Sequence, residues 1–289
     1  MLAVYKKELR SYFNSMIGYI FVAFIIFLVS VFFSLYNLYA GSPLLRNSLY
    51  KVSFVFFIIV PILSMRIMAD ERRQKTDQLL YTAPVKITDI VVGKYLSMLT
   101  VLVIPMIVFS FYPLIMGIYG KSPSTYAMDY VALLGFFLLG ALYLAIGMFL
   151  SSLTESQVIA AVLTFAVLMI TYFIGGLLNF VPGTAEASLA GFSAVIIILA
   201  LVIYLMTKNV LVAGLAACIL EVVAVVIYFV KNSLFEGAFA KVFSILDCAA
   251  KQDNFLYGMI DLTGVAYYIS GCILFIFLTV QAVQKRRYS

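Results

Sequence analysis

Histidine is absent from this 289-residue sequence, and charged residues make up only 11% of it. Without histidine the chain has no His-based zinc site, no Ser/His/Asp nucleophilic site and no histidine proton relay. Of the three cysteines, Cys218 and Cys272 fall inside apolar runs and Cys248 lies in a loop, which indicates neither a disulfide framework nor a thiolate metal site. These absences argue against an intramembrane hydrolase.

A phosphate-binding loop of the form Gly-x-x-x-x-Gly-Lys-Ser/Thr is also missing, and no polar region is long enough to fold into a nucleotide-binding domain. We therefore expect a non-enzymatic chain that does not hydrolyse ATP alone and binds no cofactor or metal of its own. The net charge of +6 has no accompanying basic and aromatic surface. It indicates membrane topology and attraction to lipid headgroups, and we expect no nucleic-acid partner.

Long apolar runs dominate what is present. Hydrophobic residues make up 65% of the chain, and several runs approach the length that crosses a hydrocarbon core of about 30 Å. The runs are continuous, which predicts an all-α polytopic membrane protein rather than a barrel of short alternating strands. We predict eight transmembrane helices: Ile17–Tyr39, Val52–Met68, Val91–Tyr119, Met128–Leu150, Val158–Val181, Leu189–Met206, Val210–Val230 and Leu262–Val283.

The basic residues are distributed unevenly between the two sides of this arrangement. With the amino terminus inside, 13 of the 19 lysines and arginines fall on the cytoplasmic side and the other six fall outside. This asymmetry predicts that both termini are cytoplasmic.

A single transmembrane domain, residues 1–289, accounts for the whole chain. Residues 1–16 have apolar side chains at helical spacing between basic ones, which predicts an interfacial elbow helix. The first five spans occupy residues 17–181 and include a charged inner region at 69–90. A tight hairpin follows at 189–230, then an outer segment at 231–261 whose apolar residues describe one helical face, then the last span and a basic tail at 262–289.

Several polar positions stand out within or beside the spans. Glu221, at membrane depth, indicates a proton or cation site, a contact for a cationic substrate group, or a protonated or hydrogen-bonded acid that locks two helices together. Pro105 and Pro113 predict a kink in the third span. Asp261 is expected to cap the last helix, and Ser152 or Thr154 to cap the fifth span.

The densest charge cluster, Arg66 to Val85, lies between two spans and is predicted to face water and a partner protein. Together with two other stretches, it resembles the membrane subunit of a type-2 ATP-binding cassette (ABC) exporter, the ABC-2 permease family, especially its bacterial gliding-motility-associated and multidrug-type branch. The stretches are Pro61 to Tyr95, Gly147 to Val158 and Asn254 to Ser289. The resemblance covers residues 1 to about 181 and 254–289.

In the first stretch the family pattern is an acidic-basic cluster, a helix like Gly-Thr-x-Glu-Leu-Leu, then Pro-Val, then Gly-Lys at the third span. Residues that match this pattern are Thr76, Leu79, Leu80, Pro84, Val85, Gly93 and Lys94. The chain departs from it at Lys75, where glycine is expected, at Gln78, where glutamate is frequent, and at Lys86, where serine is usual. The family commonly has six spans, so the hairpin Leu189–Val230 is an addition.

The resemblance implies a half-transporter in the bacterial cytoplasmic membrane, surrounded by membrane lipids. Two such permeases, a pair of copies or this chain and a homologue, would each rest on a separate cytoplasmic ATP-binding subunit that holds ATP and Mg²⁺. Residues from about Thr76 to Asp89 would form the coupling helix, with Leu79, Leu80 and Val85 inserted into the ATPase. The rest of this interface would comprise Asp70, Glu71, Arg72, Arg73, Thr76, Pro84, Ser152, Thr154 and Glu155.

Two alternatives from other functional classes remain at this point. One is an ATP-independent secondary transporter or channel that uses Glu221. The other is a membrane anchor on which the charged region merely holds a soluble complex. A mostly apolar lining is compatible with amphiphilic drugs, lipids, peptides or modified polysaccharide as cargo.

Overall fold

The computed structural model describes residues 1–42, 44–76, 85–119, 126–207 and 209–287, and every regular element in these ranges is helical. Two units are described separately below: Met1–Met169 with Ala249–Ser289, and Ile170–Cys248. The prediction of an all-helical membrane protein is confirmed.

The first unit contains most of the long helices and several short ones. In chain order these are α1 (Leu2–Asn14), α2 (Ile17–Phe33, continued by a π-helix at Ser34–Tyr39), α3 (Leu45–Val52), α4 (Phe56–Arg73), α5 (Ile87–Phe109), α6 (Tyr112–Tyr119), α7 (Tyr126–Leu153), the greater part of α8 (Gln157–Leu178), and, after the second unit, α13 (Asp253–Leu256) and α14 (Leu262–Arg287). The predicted elbow helix is therefore present as α1.

Helix α7 is the centre of the first unit, packed against α4, α5 and α14. Small residues let these helices approach closely, as is common in membrane bundles. A Cβ on Gly147 would lie 2.8 Å from the Cβ of Ser64 on α4. The aromatic rings of Phe56 and Phe136 lie 4.5 Å apart between the same two helices.

The second unit holds the end of α8, the hairpin of α9 (Ala185–Thr207) and α10 (Val210–Val230), and two short helices, α11 (Asn232–Phe235) and α12 (Ala238–Phe243). Phe192 on α9 contacts the rings of Phe235 and Phe239. The expected single helical face of the outer segment is wrong. Gly237 has φ +66° and separates α11 from α12, because this left-handed conformation ends a helix.

Six helical stretches in the described part of the chain, some of which combine consecutive helices, are long and apolar enough to cross a membrane. They are Ile17–Tyr39, Leu45–Arg73, Ile87–Ile118, Tyr126–Leu153, Gln157–Leu178 and Leu262–Arg286. Both helices of the predicted extra hairpin are present. Their described apolar stretches, Ala185–Leu201 and Gly214–Val230, are shorter. Whether the hairpin spans the membrane therefore stays a prediction.

The local predictions for helix ends had mixed outcomes. Asp261 caps α14 as predicted, since its carboxylate accepts the backbone N–H of Thr263 at 2.9 Å. The cap of α8 is Ser156, whose hydroxyl oxygen accepts the N–H of Ile159, and neither Ser152 nor Thr154 takes that place. In the third span, α5 continues through Pro105 and ends at Phe109, four residues before Pro113.

Candidate functional site

Helix α1, the end of α4 and the beginning of α5 meet at one end of the first unit, which we call the charged face. Charge of both signs comes together there. Lys94, two turns into α5, is fully buried. A buried lysine is stable only when its ammonium group has acceptors and a counter-charge, so the surroundings of Lys94 identify the interactions that matter here.

Four side chains form a closed arrangement that we call the ion-pair square: Lys7, Glu8, Glu71 and Lys94. The ammonium group of Lys94 lies 2.8 Å from the carboxylate of Glu71 and 3.3 Å from that of Glu8. The ammonium group of Lys7 lies 2.9 Å from Glu71 and 3.5 Å from Glu8. Each cation thus contacts both anions, and the net charge of the square is zero.

The buried corner of the square is fully hydrogen-bonded. Besides its two carboxylates, Lys94 donates to the backbone carbonyl of Ile67 at 2.7 Å, which gives each of its three N–H groups an acceptor. The neighbouring Gly93 allows α1 to lie directly against α5. A Cβ on Gly93 would lie 3.0 Å from the carbonyl oxygen of Met1.

The exposed corner of the square is Lys7, whose side chain is 59% exposed. Partial burial lowers the pKa of Lys7, but hydrogen bonds and the charges of Glu71 and Glu8 outweigh it. The pKa of Lys7 therefore lies above its usual value, so Lys7 is charged across the neutral range and its contribution to stability is lost only at strongly alkaline pH.

Helix α4 ends at Arg73, two residues after Glu71, in a Schellman motif. The N–H of Thr76 bonds to the carbonyl of Glu71, and the N–H of Lys75 bonds to that of Arg72. Lys75 occupies the left-handed position of this motif, with φ +56°. Glycine normally takes that position, which gives a physical reason for the glycine of the family pattern.

A second set of contacts joins α4 to the loop between α7 and α8. The guanidinium group of Arg72 donates to the carbonyl of Ser152 and to the carboxylate of Glu155, both at 3.0 Å. Arg286, near the end of α14, donates to the carbonyl of Leu153 at 2.8 Å. The end of α4 is thus held on two sides, by the ion-pair square and by the α7–α8 loop.

The structure brings together a large part of the predicted interface. Asp70 pairs with Arg66 at 3.4 Å, Glu71 lies in the square, and Arg72 binds Glu155. Arg73 is exposed and Val85 half-buried. Thr76 donates to the carbonyl of Glu71, and the hydroxyl of Thr154 accepts the N–H of Ser156. Leu79, Leu80 and Pro84 lie outside the described residues.

Glu221 lies in the second unit, away from these contacts along the chain. The hydroxyl of Ser193 on α9 donates to its carboxylate on α10. This is the geometry expected of a hydrogen-bonded acid that joins two helices. The other interpretations, a proton or cation site or a contact for a cationic substrate group, stay predictions.

Three members of the ion-pair square, Lys7, Glu8 and Lys94, were not among the predicted site residues. Glu8 and Lys94 are 86 residues apart, so their pairing depends on the tertiary fold. The sequence did carry one signal, because Lys94 is a charged residue at the start of an apolar run, where an unpaired lysine is costly.

Comparison with known proteins gives one match. The sequence profile described as ABC-2 family transporter protein matches residues 2–190, about two thirds of the chain. No curated protein and no solved structure matches. The match does not separate branches of the family, so the bacterial gliding-motility-associated branch stays a prediction. The profile covers α1 to α8, including the whole charged cluster and Lys94, and the chain belongs to the ABC-2 transporter family as a multi-pass permease.

Proposed function

We propose that this chain is the permease subunit of an ATP-driven exporter in a bacterial cytoplasmic membrane. It pairs with a second permease, either another copy or a homologue, and each permease rests on a separate ATP-binding subunit. ATP and Mg²⁺ are held by that partner. Membership of the ABC-2 family supports this proposal, as do the six helices among the described residues that are long and apolar enough to cross a membrane.

The observation that carries the proposal is the position of the ion-pair square relative to residues 72–93. Glu71 lies just before this segment and Lys94 just after it, and their charged groups are 2.8 Å apart. The two ends of the segment are therefore fixed to each other. A force applied to the segment by an ATPase would reach α4 and α5 together, and α1 through Glu8.

The surroundings of the segment favour a protein partner with carboxylates at its rim. Arg73, Lys75 and Lys86 are exposed on either side of residues 77–84. Among the described acidic residues nearby, Glu71 is engaged in the square and Asp70 with Arg66, and Asp89 is half-buried. These three cations are available for rim contacts, while Leu79 and Leu80 supply the apolar insertion proposed for the coupling helix.

The test is purification of the tagged chain from its native membrane in mild detergent, followed by identification of partners and assay of ATPase turnover. Leu80→Asp places a charge in the proposed apolar contact. Leu246→Asp is the matched control, because Leu246 is an exposed leucine of the predicted outer segment.

The proposal predicts that an ATP-binding protein copurifies with the native chain and with Leu246→Asp, and that Leu80→Asp loses it or uncouples its turnover. Recovery of no ATP-binding protein, with transport retained in vesicles, would overturn the proposal in favour of a secondary transporter. Binding of an ATPase whose turnover is unchanged by Leu80→Asp would favour a membrane anchor.

A further inference from the structure

Helix α1 carries a stripe of exposed polar side chains. Lys7, Arg10, Ser11 and Asn14 are exposed and are spaced three, four and seven residues apart, which places them on one face of the helix. The opposite face, with Glu8 and Tyr12, is buried. The polar stripe is therefore exposed along α1 from Lys7 to Asn14, and its members Lys7 and Ser11 also border the end of α4.

Two neighbouring cavities lie along this stripe and form one groove. A cavity of about 550 Å³ is lined by Lys7, Arg10, Ser11, Asn14 and Ser15. The other, of about 310 Å³, shares Lys7, Ser11 and Ser15 and extends to α4, where Arg66 and Thr76 are among the lining residues.

The free groups in this groove are hydrogen-bond donors. In the described part of the chain, Arg10 forms no ion pair, and the side chains of Ser11 and Asn14 have no hydrogen-bond partner. The acids that line the groove are engaged, Glu8 and Glu71 in the ion-pair square and Asp70 with Arg66. A guanidinium group, a hydroxyl and an amide facing one space suit a phosphate group.

The first membrane span starts directly beyond the stripe. Helix α1 ends at Asn14 and α2 begins at Ile17, so we expect the stripe to lie at the level of the lipid headgroups. On α2, Ile20, Phe24 and Phe27 are exposed at helical spacing, with exposed fractions of 58%, 37% and 62%. Hydrogen-bond donors on α1, followed along the chain by an apolar stripe on α2, match the order of phosphate and acyl chain in a phospholipid.

We infer that the groove along α1 binds the headgroup phosphate of an anionic phospholipid, with the acyl chains against the exposed stripe of α2. Arg10 contacts the phosphate directly, and Ser11 and Asn14 complete its hydrogen bonds. None of these three residues takes part in the ion-pair square, although Lys7, Glu8 and Glu71 of the square also line the groove.

The test measures the affinity of the purified chain for phosphatidylglycerol in an uncharged detergent, from the dependence of the thermal midpoint on lipid concentration. Phosphatidylcholine and inorganic phosphate are the comparison ligands. Arg10→Gln and Ser11→Ala alter the groove. Lys6→Gln is the matched control, because Lys6 is exposed on the same helix but does not line either cavity.

We expect phosphatidylglycerol to stabilise the native chain, and Arg10→Gln to weaken its affinity about tenfold, since a charge-assisted hydrogen bond is lost. Ser11→Ala should weaken it less, and Lys6→Gln should change it by less than about twofold.

Equal weakening by Lys6→Gln and Arg10→Gln would overturn the inference, because it would show general attraction to surface charge. An equal response to phosphatidylcholine, or an equal response to inorganic phosphate, would also overturn it. So would a stable dimer that shows no response to phosphatidylglycerol, since a second copy of the chain would then cover the groove.

Discussion

Replacing Lys94 by methionine removes the buried charge of the ion-pair square and keeps a side chain of similar length. The substitution leaves the carboxylates of Glu8 and Glu71, which are 11% and 15% exposed, without their buried partner. The carbonyl of Ile67 also loses its hydrogen bond from the ammonium group. Lys7 stays in place and compensates part of the negative charge.

The expected cost follows from the burial of the pair. Removing one partner of a buried ion pair costs about 3–5 kcal/mol, because the other charge stays behind unpaired. The lower end, about 3 kcal/mol, applies here since Lys7 still contacts both carboxylates. At about 2–4 °C for each kcal/mol, the thermal midpoint should fall by about 6–12 °C.

The matched control is Lys7→Met, which removes a cation that contacts the same two carboxylates. Lys7 is 59% exposed, whereas Lys94 is 1% exposed, so the two variants differ mainly in burial. An exposed pair contributes only about 0–1 kcal/mol, and Lys7→Met should lower the midpoint by less than about 4 °C. Thermal unfolding in mild detergent, followed by far-ultraviolet circular dichroism, measures both.

A double variant tests whether the loss arises from the unpaired carboxylate. Adding Glu71→Gln to Lys94→Met should restore part of the midpoint, because the amide carries no charge that needs a partner. Equal effects of Lys94→Met and Lys7→Met, or a fall of less than about 2 °C for Lys94→Met, would refute the claim that the square fixes the ends of residues 72–93.

Three further predictions concern other positions. Lys75→Gly should raise stability by about 1 kcal/mol, measured as a higher thermal midpoint, because glycine adopts the left-handed conformation at the end of α4 without strain; an unchanged or lower midpoint would contradict the Schellman motif. Gly147→Ala should cost about 1–3 kcal/mol, because the new Cβ overlaps Ser64, whereas Gly176→Ala, with open space around it, should cost nothing. Glu221→Gln should leave ATP-dependent transport intact, because an amide oxygen still accepts the hydrogen bond; loss of transport would favour the proton or cation site.

The helices of the bundle could be predicted from the sequence because their signal is local. Apolar runs of sufficient length predict spans without knowledge of their neighbours, and the spacing of Tyr5, Leu9 and Tyr12 predicts the amphipathic α1. Regular spacing also predicted one helical face in residues 231–261. The left-handed turn at Gly237 breaks that helix, because apolar periodicity carries no information on backbone conformation.

The candidate site could be predicted only in part. The charge cluster of residues 66–85 indicated where polar groups concentrate, but not which of them bind each other. Glu71 pairs with Lys94 and Arg72 pairs with Glu155, and these contacts depend on how α4 packs against α5 and α7. The contact of Glu71 and Arg72 with a partner ATPase therefore stays a prediction, while their role within the bundle follows from the structure.

The most direct test of the proposed function is photo-cross-linking from position 80 in the native membrane. A photoreactive residue at position 80 should form an adduct with an ATP-binding protein, and the same residue at position 246 should not. Absence of that adduct at position 80, or equal adducts from both positions, would contradict the proposal that residues 76–89 couple this permease to an ATPase.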